Sequence, residues 1–200
     1  MISTGILRIA GVDEAGRGPC AGPLVVSAVI LKDPFAPSLG RVRDSKELSP
    51  KLREELFDIV KEESLAWSII QISVEEIDER GLHKSNIEGF RRAVAELEVE
   101  PEYVLTDGYP IAGLGIPNLA IWKGDQVAIS ISAASILAKV YRDRLMIELD
   151  STFPEYGFAR HKGYITKFHT QALKKYGASS VHRRSFANIS ALLEKKLSAK

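Results

Sequence analysis

The sequence predicts an α/β fold, a mixed β-sheet with helices packed around it. Three short runs rich in Val, Ile and Leu, at residues 6–12, 23–31 and 65–73, have strand length and follow one another in hairpin-like order. Apolar runs at 102–108 and 118–125 are then separated from these and from the C-terminal part by stretches of helical spacing, the order that packs helices around a sheet. With 200 residues, 45% hydrophobic and 26% charged, the chain is long enough for one domain with a substantial core, or for two small ones.

Each element has its own signal. The first strand, Ile6 to Val12, ends in the acidic pair Asp13-Glu14, and glycines 16, 18 and 22 punctuate the turn into "PLVVSAVIL". A Pro-punctuated loop covers 33–40. Ser49 as N-cap, Pro50 at the first helical position, and the stripe Leu52, Leu56, Ile59 and Val60 predict a helix. "LAWSIIQIS" is the third strand, in which Trp67 is expected in the core. Ser73 and Glu76 have capping-box spacing for a short helix, and Ile87, Phe90, Ala93, Val94 and Leu97 mark one face of the next. "EYVLTDG" reads as a strand closed by Asp107, and "NLAIWKGD" as one closed by Asp125, with Trp122 also expected in the core. From Gln126 onward a long helix carries small residues at 130, 133, 134 and 138, which would let it lie close on a sheet. Thr166 to a Gly177 cap makes another helix, and "ISALLEKKL" a short last one.

Composition narrows the classes. Cys20 is the only cysteine, so no intrachain disulfide can form, and a buried packing role is expected for it. No uncharged apolar stretch approaches the ~18 residues of a membrane span, and Asp13 and Glu14 interrupt the N-terminal apolar run too early for a secretory signal. A soluble cytoplasmic protein without membrane association is expected. The net charge of +1 hides an asymmetry: residues 1–100 hold 13 Lys+Arg against 18 Asp+Glu, residues 101–200 hold 14 against 8. Between Tyr156 and Leu193 there is no acid, while Arg160, Lys162, Lys167, Lys174, Lys175, Arg183 and Arg184 alternate with His161, His169 and His182. Such a segment suits a polyanion, or is simply a solvated basic face.

Asp13, Glu14, Asp107 and Asp125 stand out together, as acids at the ends of three strands that one sheet can bring together. Hard divalent cations take oxygen ligands, and two of them about 3.5–4 Å apart hold both the attacking water and the leaving oxygen of a phosphodiester. Without metal, the carboxylates would repel one another and some would hold protons more tightly. Asp107 and Asp125 taken singly, next to glycine, read better as turn signals; jointly, three strand-end acids beside a basic C-terminal third read as a catalytic site.

"GVDEAGRGPCAGPLV", "DSKELS", "TDG", "WKGD", "ISAASILAKVYRDRLM", "HKGY" and "HRRSF", in this order from about Ile9 to Phe186, resemble the type 2 ribonuclease H family and within it the bacterial ribonuclease HII group. The resemblance implies a ribonuclease H-like fold with a central five-stranded mixed sheet flanked by helices. It implies one catalytic domain, with a core over about 1–150 and a helical C-terminal substrate-binding region over about 151–200. It further implies a Mg²⁺- or Mn²⁺-dependent endonuclease, with two ions during catalysis, that cuts the RNA strand of RNA–DNA hybrids and nicks duplex DNA 5′ of embedded ribonucleotides. Such an enzyme removes misincorporated ribonucleotides and RNA primers. Asp13, Glu14, Asp107 and Asp125 match the family's metal ligands. Gly16-Arg17-Gly18 matches the motif for the 2′-hydroxyl at the scissile step, the group that separates RNA from DNA. Tyr164 matches the tyrosine that stacks on the following deoxyribose.

Several further residues carry alternatives. Lys46 is a phosphate contact or a solvated lysine, and Asp44 orders its loop rather than binding metal. Ser135 and Lys139 serve helix packing and reach toward the substrate backbone. Arg142 and Asp143 buttress the site or pair elsewhere. Arg183 and Arg184 contact phosphates or pair with buried acids. His161 is near the site or faces solvent. Gln126 stands where the family commonly has serine, and "GASSVHRR" lacks a proline often found before the histidine. The related ribonuclease HIII ends its acidic set with glutamate, where this chain has Asp125. A junction-cleaving nuclease of the same fold or a non-catalytic nucleic-acid-binding domain are the rival readings, and a monomer is expected.

Overall fold

The structure, a computed structural model, describes residues 5–198. In chain order the elements are β1 (Ile9–Ala15), β2 (Leu24–Leu31), α1 (Pro50–Glu63), β3 (Ser64–Ile72), α2 (Val74–Arg80), α3 (Leu82–Ala95), β4 (Tyr103–Asp107), β5 (Asn118–Ile121), α4 (Ile129–Thr152), α5 (Phe158–His161), α6 (Lys167–Tyr176) and α7 (Ala187–Ser198). The strands form one five-stranded sheet in the order β3-β2-β1-β4-β5, with β1 antiparallel to β2 and parallel to β4, and β4 parallel to β5. The expected mixed sheet with helices is therefore present.

The chain divides into two compact units. The first runs to residue 15 and takes up 25–71 and 86–140; the second takes up 16–24, 72–85 and the chain from 141 onward. In the first, the sheet buries Ala10, Val12, Val26, Ala28, Ile30 and Val104 with Phe90, Ala93 and Val94 of α3 and with Leu97 just beyond it. β2 is buried along its whole length, as its sequence, apolar but for Ser27, suits in a central strand. Gly11 shows why the first strand carries a glycine: a Cβ there would lie 2.1 Å from the backbone carbon of Ser130. The small residues at the start of α4 thus bring helix and sheet backbones into close approach, as the sequence spacing anticipates.

Most boundaries follow their local signals. Ser49 accepts a hydrogen bond from Leu52 N at the start of α1, and Ser73 does the same from Glu76 N for α2. Thr166 caps α6 through His169 N, and Gly177, at φ 85°, ends it.

Five expectations need correction. β1 begins at Ile9 and extends through Asp13 and Glu14, so the acidic pair lies within the strand. The Pro-punctuated loop contains a 3₁₀ turn at Pro37–Arg41. β5 stops at Ile121 and α4 starts only at Ile129, because Lys123 adopts a left-handed conformation (φ 55°) that breaks the strand and leads into a 3₁₀ turn at Gly124–Gln126. Asp125 therefore sits on that turn and not at a strand end. The same reversal leaves Trp122 82% exposed instead of in the core. Trp67 is also partly exposed: β3 alternates buried and exposed at its start, Leu65 and Trp67 fall on the outer face, and Lys61 Nζ lies 4.5 Å from the Trp67 ring centroid.

In the second unit, Cys20, Met146, Tyr156, Phe158, Ala172, Leu173 and Ile189 form a separate core. Cys20 is fully buried there, and burial pushes its thiol pKa up, as a packing role requires. Among the described residues no helix is long and apolar enough to cross a membrane.

Candidate active site and sugar-reading loop

Asp13, in β1, and Asp107, the last residue of β4, belong to neighbouring parallel strands. Asp125 is delivered by the turn after β5, whose neighbour in the sheet is β4. One carboxylate oxygen from each of the three lies within 4.8 Å of the others. The backbone holds this arrangement in place. Asp13 Oδ1 accepts from Glu14 N at 2.7 Å and Asp107 Oδ1 from Gly124 N at 2.7 Å, while Ser132 Oγ donates to the Asp125 carbonyl at 2.7 Å. The Asp107–Gly124 bond ties the end of β4 to the turn bearing Asp125.

The electrostatics are those of an anionic cluster only partly compensated, by Lys46 beside Asp125. Burial raises the Asp13 pKa well above the usual carboxylate range, and the charges of Glu14 and Asp107 raise it further, against hydrogen bonds from Glu14 N–H and Ser135. Asp125 is also raised, first by burial, with Asp44 and Asp107 adding to it and Lys46 opposing. Lys46 Nζ stands 3.2 Å from Asp125 Oδ2 and 3.8 Å from Asp44 Oδ1. Burial lowers the Lys46 pKa, but the charge and hydrogen bond of Asp125, with Asp44 and Asp13, outweigh this and raise it. Asp44 accepts from Lys46 N and caps the turn Ser45–Glu47, the loop-ordering role expected of it. Oxygen donors crowded at this distance, two of them buried and holding protons tightly, are suited to a hard divalent cation.

Ser135 has the packing role expected of it: it is buried, hydrogen-bonded to Asp13 and, at 2.8 Å, to Ser45 Oγ, and its burial speaks against the reach to the substrate backbone also expected of it. Lys139, one turn on along α4, is half-buried.

The second unit contains the Gly16–Gly18 loop. Gly16 has φ 103°, and a Cβ there would lie 2.0 Å from Arg142 Nε; at Gly18 it would lie 3.3 Å from Tyr164 Cε1. The two groups matched to sugar recognition are therefore in contact, with Tyr164 47% exposed. Two fully buried arginines hold carbonyls of this loop and of the chain that follows it, together with that of Lys162. Arg142 donates to Pro23 O (2.9 Å), Ala21 O (3.1 Å) and Lys162 O (3.1 Å); Arg183 donates to Gly22 O (3.0 Å) and Arg17 O (3.3 Å). Burial lowers their pKa values to about 10 and about 9, the second also through repulsion from Arg142.

Arg142 thus meets backbone carbonyls and not the other side chains that were its second alternative. Arg183, at 0% exposure, has no surface for a phosphate, and its acceptors are carbonyls, not acids. Arg184 is exposed, and its backbone N–H, like that of Ser185, is held by Asp78. The three histidines are also corrected. His161, His169 and His182 are buried against Tyr156 and Phe158, so the basic face consists of lysines and arginines alone. A sequence signal existed for His169, which falls on the same helical face as Ala172 and Leu173; nothing in the sequence marks Asp78.

The description "Ribonuclease HII" belongs to the family model that matches residues 10–189. The chain belongs to the ribonuclease HII family. A ribonuclease HII from Nocardioides sp. is 53% identical over 185 residues, covering 92% of this chain and 77% of that protein. A ribonuclease HII from Rhodococcus erythropolis is 52% identical over 188 residues, covering 94% and 83%. The crystal structure of ribonuclease H2 from Pyrococcus horikoshii OT3 superposes with a TM-score of 0.81 at 31% identity, covering 94% of this chain and 98% of that one. As a ribonuclease HII, the protein has a ribonuclease H-like fold and is a divalent-metal-dependent endoribonuclease that acts on nucleic acid.

Proposed function

We propose that this ribonuclease HII cleaves the RNA strand of RNA–DNA hybrids and nicks duplex DNA on the 5′ side of embedded ribonucleotides, removing misincorporated ribonucleotides and RNA primers. The observation that carries the reading is the carboxylate cluster, in which Asp13, Asp107 and Asp125 bring oxygens within 4.8 Å of one another, with the proton affinity of Asp13 and Asp125 raised. Asp13, Asp107 and Asp125, with Glu14 beside Asp13, hold Mg²⁺ or Mn²⁺. Bound divalent cations supply activation of the attacking water and neutralisation of the leaving oxygen.

The remaining steps belong to the chain's own groups. Ser135 and the Glu14 N–H keep Asp13 oriented, and Gly124 N–H keeps Asp107 oriented. Lys46, 76% exposed at its side chain, balances Asp125 and turns its ammonium to a substrate phosphate. Gly16, Arg17 and Gly18 receive the 2′-hydroxyl, and Tyr164 packs on the next sugar, where a 2′-hydroxyl would crowd the ring. Lys139, Arg184 and the exposed Lys174 and Lys175 contact the phosphate backbone. Residues 1–200 act as one catalytic domain, with about 151–200 as the substrate-binding region. The protein acts as a cytoplasmic monomer.

The test measures cleavage by wild type, Tyr164→Ala and Tyr164→Phe on a single embedded ribonucleotide, a continuous RNA–DNA hybrid and an all-DNA duplex. Wild type is expected to cut the first two, 5′ of the ribonucleotide in the first, and to leave the third intact. Tyr164→Ala is expected to lose most of the preference for a ribonucleotide followed by a deoxyribonucleotide, while Tyr164→Phe keeps it. An unchanged ratio in Tyr164→Ala removes the stacking role, and cleavage of the all-DNA duplex removes the ribose-reading role of the loop.

A further inference from the structure

Tyr164 is held from behind at three successive carbonyls. Lys162 O accepts from Arg142 Nη1, Gly163 O from Cys20 N at 3.1 Å, and Tyr164 O from His169 Nδ1 at 3.0 Å. The third differs from the others, because an imidazole donates from Nδ1 only if the proton sits there. The neighbouring groups determine where it sits. Ser179 N–H points at His182 Nδ1 (3.0 Å), and a backbone N–H can only donate, so His182 carries its proton on Nε2. His182 Nε2 lies 3.0 Å from His169 Nε2, which must therefore accept, leaving the His169 proton on Nδ1 facing the Tyr164 carbonyl. His161, stacked on His169 at 4.5 Å, is fixed independently: Gly163 N–H points at its Nδ1 (3.2 Å), and its Nε2 donates to Tyr156 O at 2.8 Å.

We propose that His182 and His169 form a directed hydrogen-bond relay, Ser179 N–H to His182 to His169 to Tyr164 O, that sets the backbone position of Tyr164 and so tunes discrimination at the sugar following the cleaved bond. Both rings are fully buried and touch no solvent, so they are positioning residues, not catalytic ones. Reversal of either tautomer would turn two N–H groups toward each other or remove the donor from Tyr164. The ring of Tyr164, half exposed against Gly18, has its freedom limited mainly through its own backbone. Displacement of that backbone by a fraction of an ångström therefore moves the stacking face.

The inference rests on the sugar-reading role of Tyr164, and the experiment separates the two. His169→Leu removes the donor, His169→Asn keeps an amide N–H near the Nδ1 position, and each is measured alone and combined with Tyr164→Ala, on the single-ribonucleotide substrate and on the continuous hybrid. His169→Leu is expected to lower the ratio of the two rates by an order of about tenfold, the scale of a misplaced positioning contact. His169→Asn is expected to restore most of that ratio, and His169→Leu is expected to change it no further once Tyr164 is Ala. Equal loss on both substrates, or an additive effect in the double variant, would make His169 merely structural and overturn the relay. If Tyr164→Ala itself keeps the wild-type ratio, the reading beneath it fails instead. Independently of any variant, ¹⁵N chemical shifts of the wild-type imidazoles are expected to report protons on His182 Nε2, His169 Nδ1 and His161 Nε2. A proton on His169 Nε2 overturns the proposal even if every variant fails to fold.

Discussion

The two units treat buried charge in opposite ways. In the first, Asp13, Asp107 and Asp125 are drawn together with Glu14 adjacent to Asp13, and burial and repulsion raise the proton affinity of Asp13 and Asp125. In the second, Arg142 and Arg183 are buried without a carboxylate at salt-bridge distance among the described residues, and burial lowers their proton affinity. The anions keep one another company, and their donors, Glu14 N–H, Ser135, Gly124 N–H and Lys46, offset only part of the repulsion. The cations donate to five backbone carbonyls between them, although Arg183 Nη2 has no hydrogen-bond partner among the described residues, and so tie separate stretches of backbone together. One arrangement gives up stability for chemistry, and the other uses charge-assisted hydrogen bonds to fix geometry.

The largest expected effect lies on the anionic side. Asp13→Asn or Asp107→Asn should abolish turnover in Mg²⁺, because a ligand charge is lost. The same changes relieve repulsion, so the metal-free variants should melt at or above the wild-type temperature. Calorimetric metal titration beside thermal unfolding checks both. Wild-type cleavage by either variant would remove the residue from the site, and a clear drop in the metal-free melting temperature would contradict the stored repulsion.

On the cationic side the sign reverses. Arg142→Met keeps much of the side-chain volume but leaves the buried carbonyls of Pro23, Ala21 and Lys162 without their donor, so it should cost about 3 kcal/mol of stability or more, at about 1–3 kcal/mol for each acceptor left unsatisfied. Chemical denaturation at pH 7 measures it. A loss under about 1 kcal/mol would mean that water or other donors replace the guanidinium readily.

The same contrast explains what the sequence reveals. The acids were legible because each stands where an apolar run meets glycine, and the helix caps at Ser49, Ser73 and Thr166 because capping is a local matter of one side chain and one N–H. Asp125 was legible as a site residue but misplaced on its element, since the left-handed Lys123 that ends β5 carries no glycine or proline signal at its own position. Arg183, His169 and His182 looked like parts of a basic surface. Their acceptors come from Arg17, Gly22 and Tyr164, and from one another, groups 5 to 166 residues away in the chain, and no composition or period encodes which carbonyl a cation will meet. Trp67 and Trp122 show the converse error, because hydrophobicity alone does not say which face of an edge strand, or which side of a reversal, a large ring will occupy.

The smallest effect is a pH dependence whose sign separates the two units. Burial, with the nearby charge of His169, lowers the His182 pKa from its ordinary 6.5 to about 4. Between these values the unfolded chain binds a proton that the folded chain does not, so the stability contributed by neutral His182 is complete above about pH 6.5 and is lost as the pH falls toward 4, at most about 3 kcal/mol. Asp13 behaves oppositely in the metal-free protein. Its raised folded pKa means that the folded chain keeps a proton the unfolded chain has released, so its contribution declines as the pH rises from the unfolded value of 3.8 through the raised one. Denaturant unfolding of metal-free protein from pH 7.5 down to 4.5 should therefore show a shallower loss in wild type than in Asp13→Asn, where the opposing term is gone. His182→Gln should flatten the loss in either background, because glutamine does not titrate. If His182→Gln retains the wild-type slope, the buried histidines are not the source of the acid sensitivity, and if Asp13→Asn leaves the slope unchanged, the carboxylate cluster holds no excess proton.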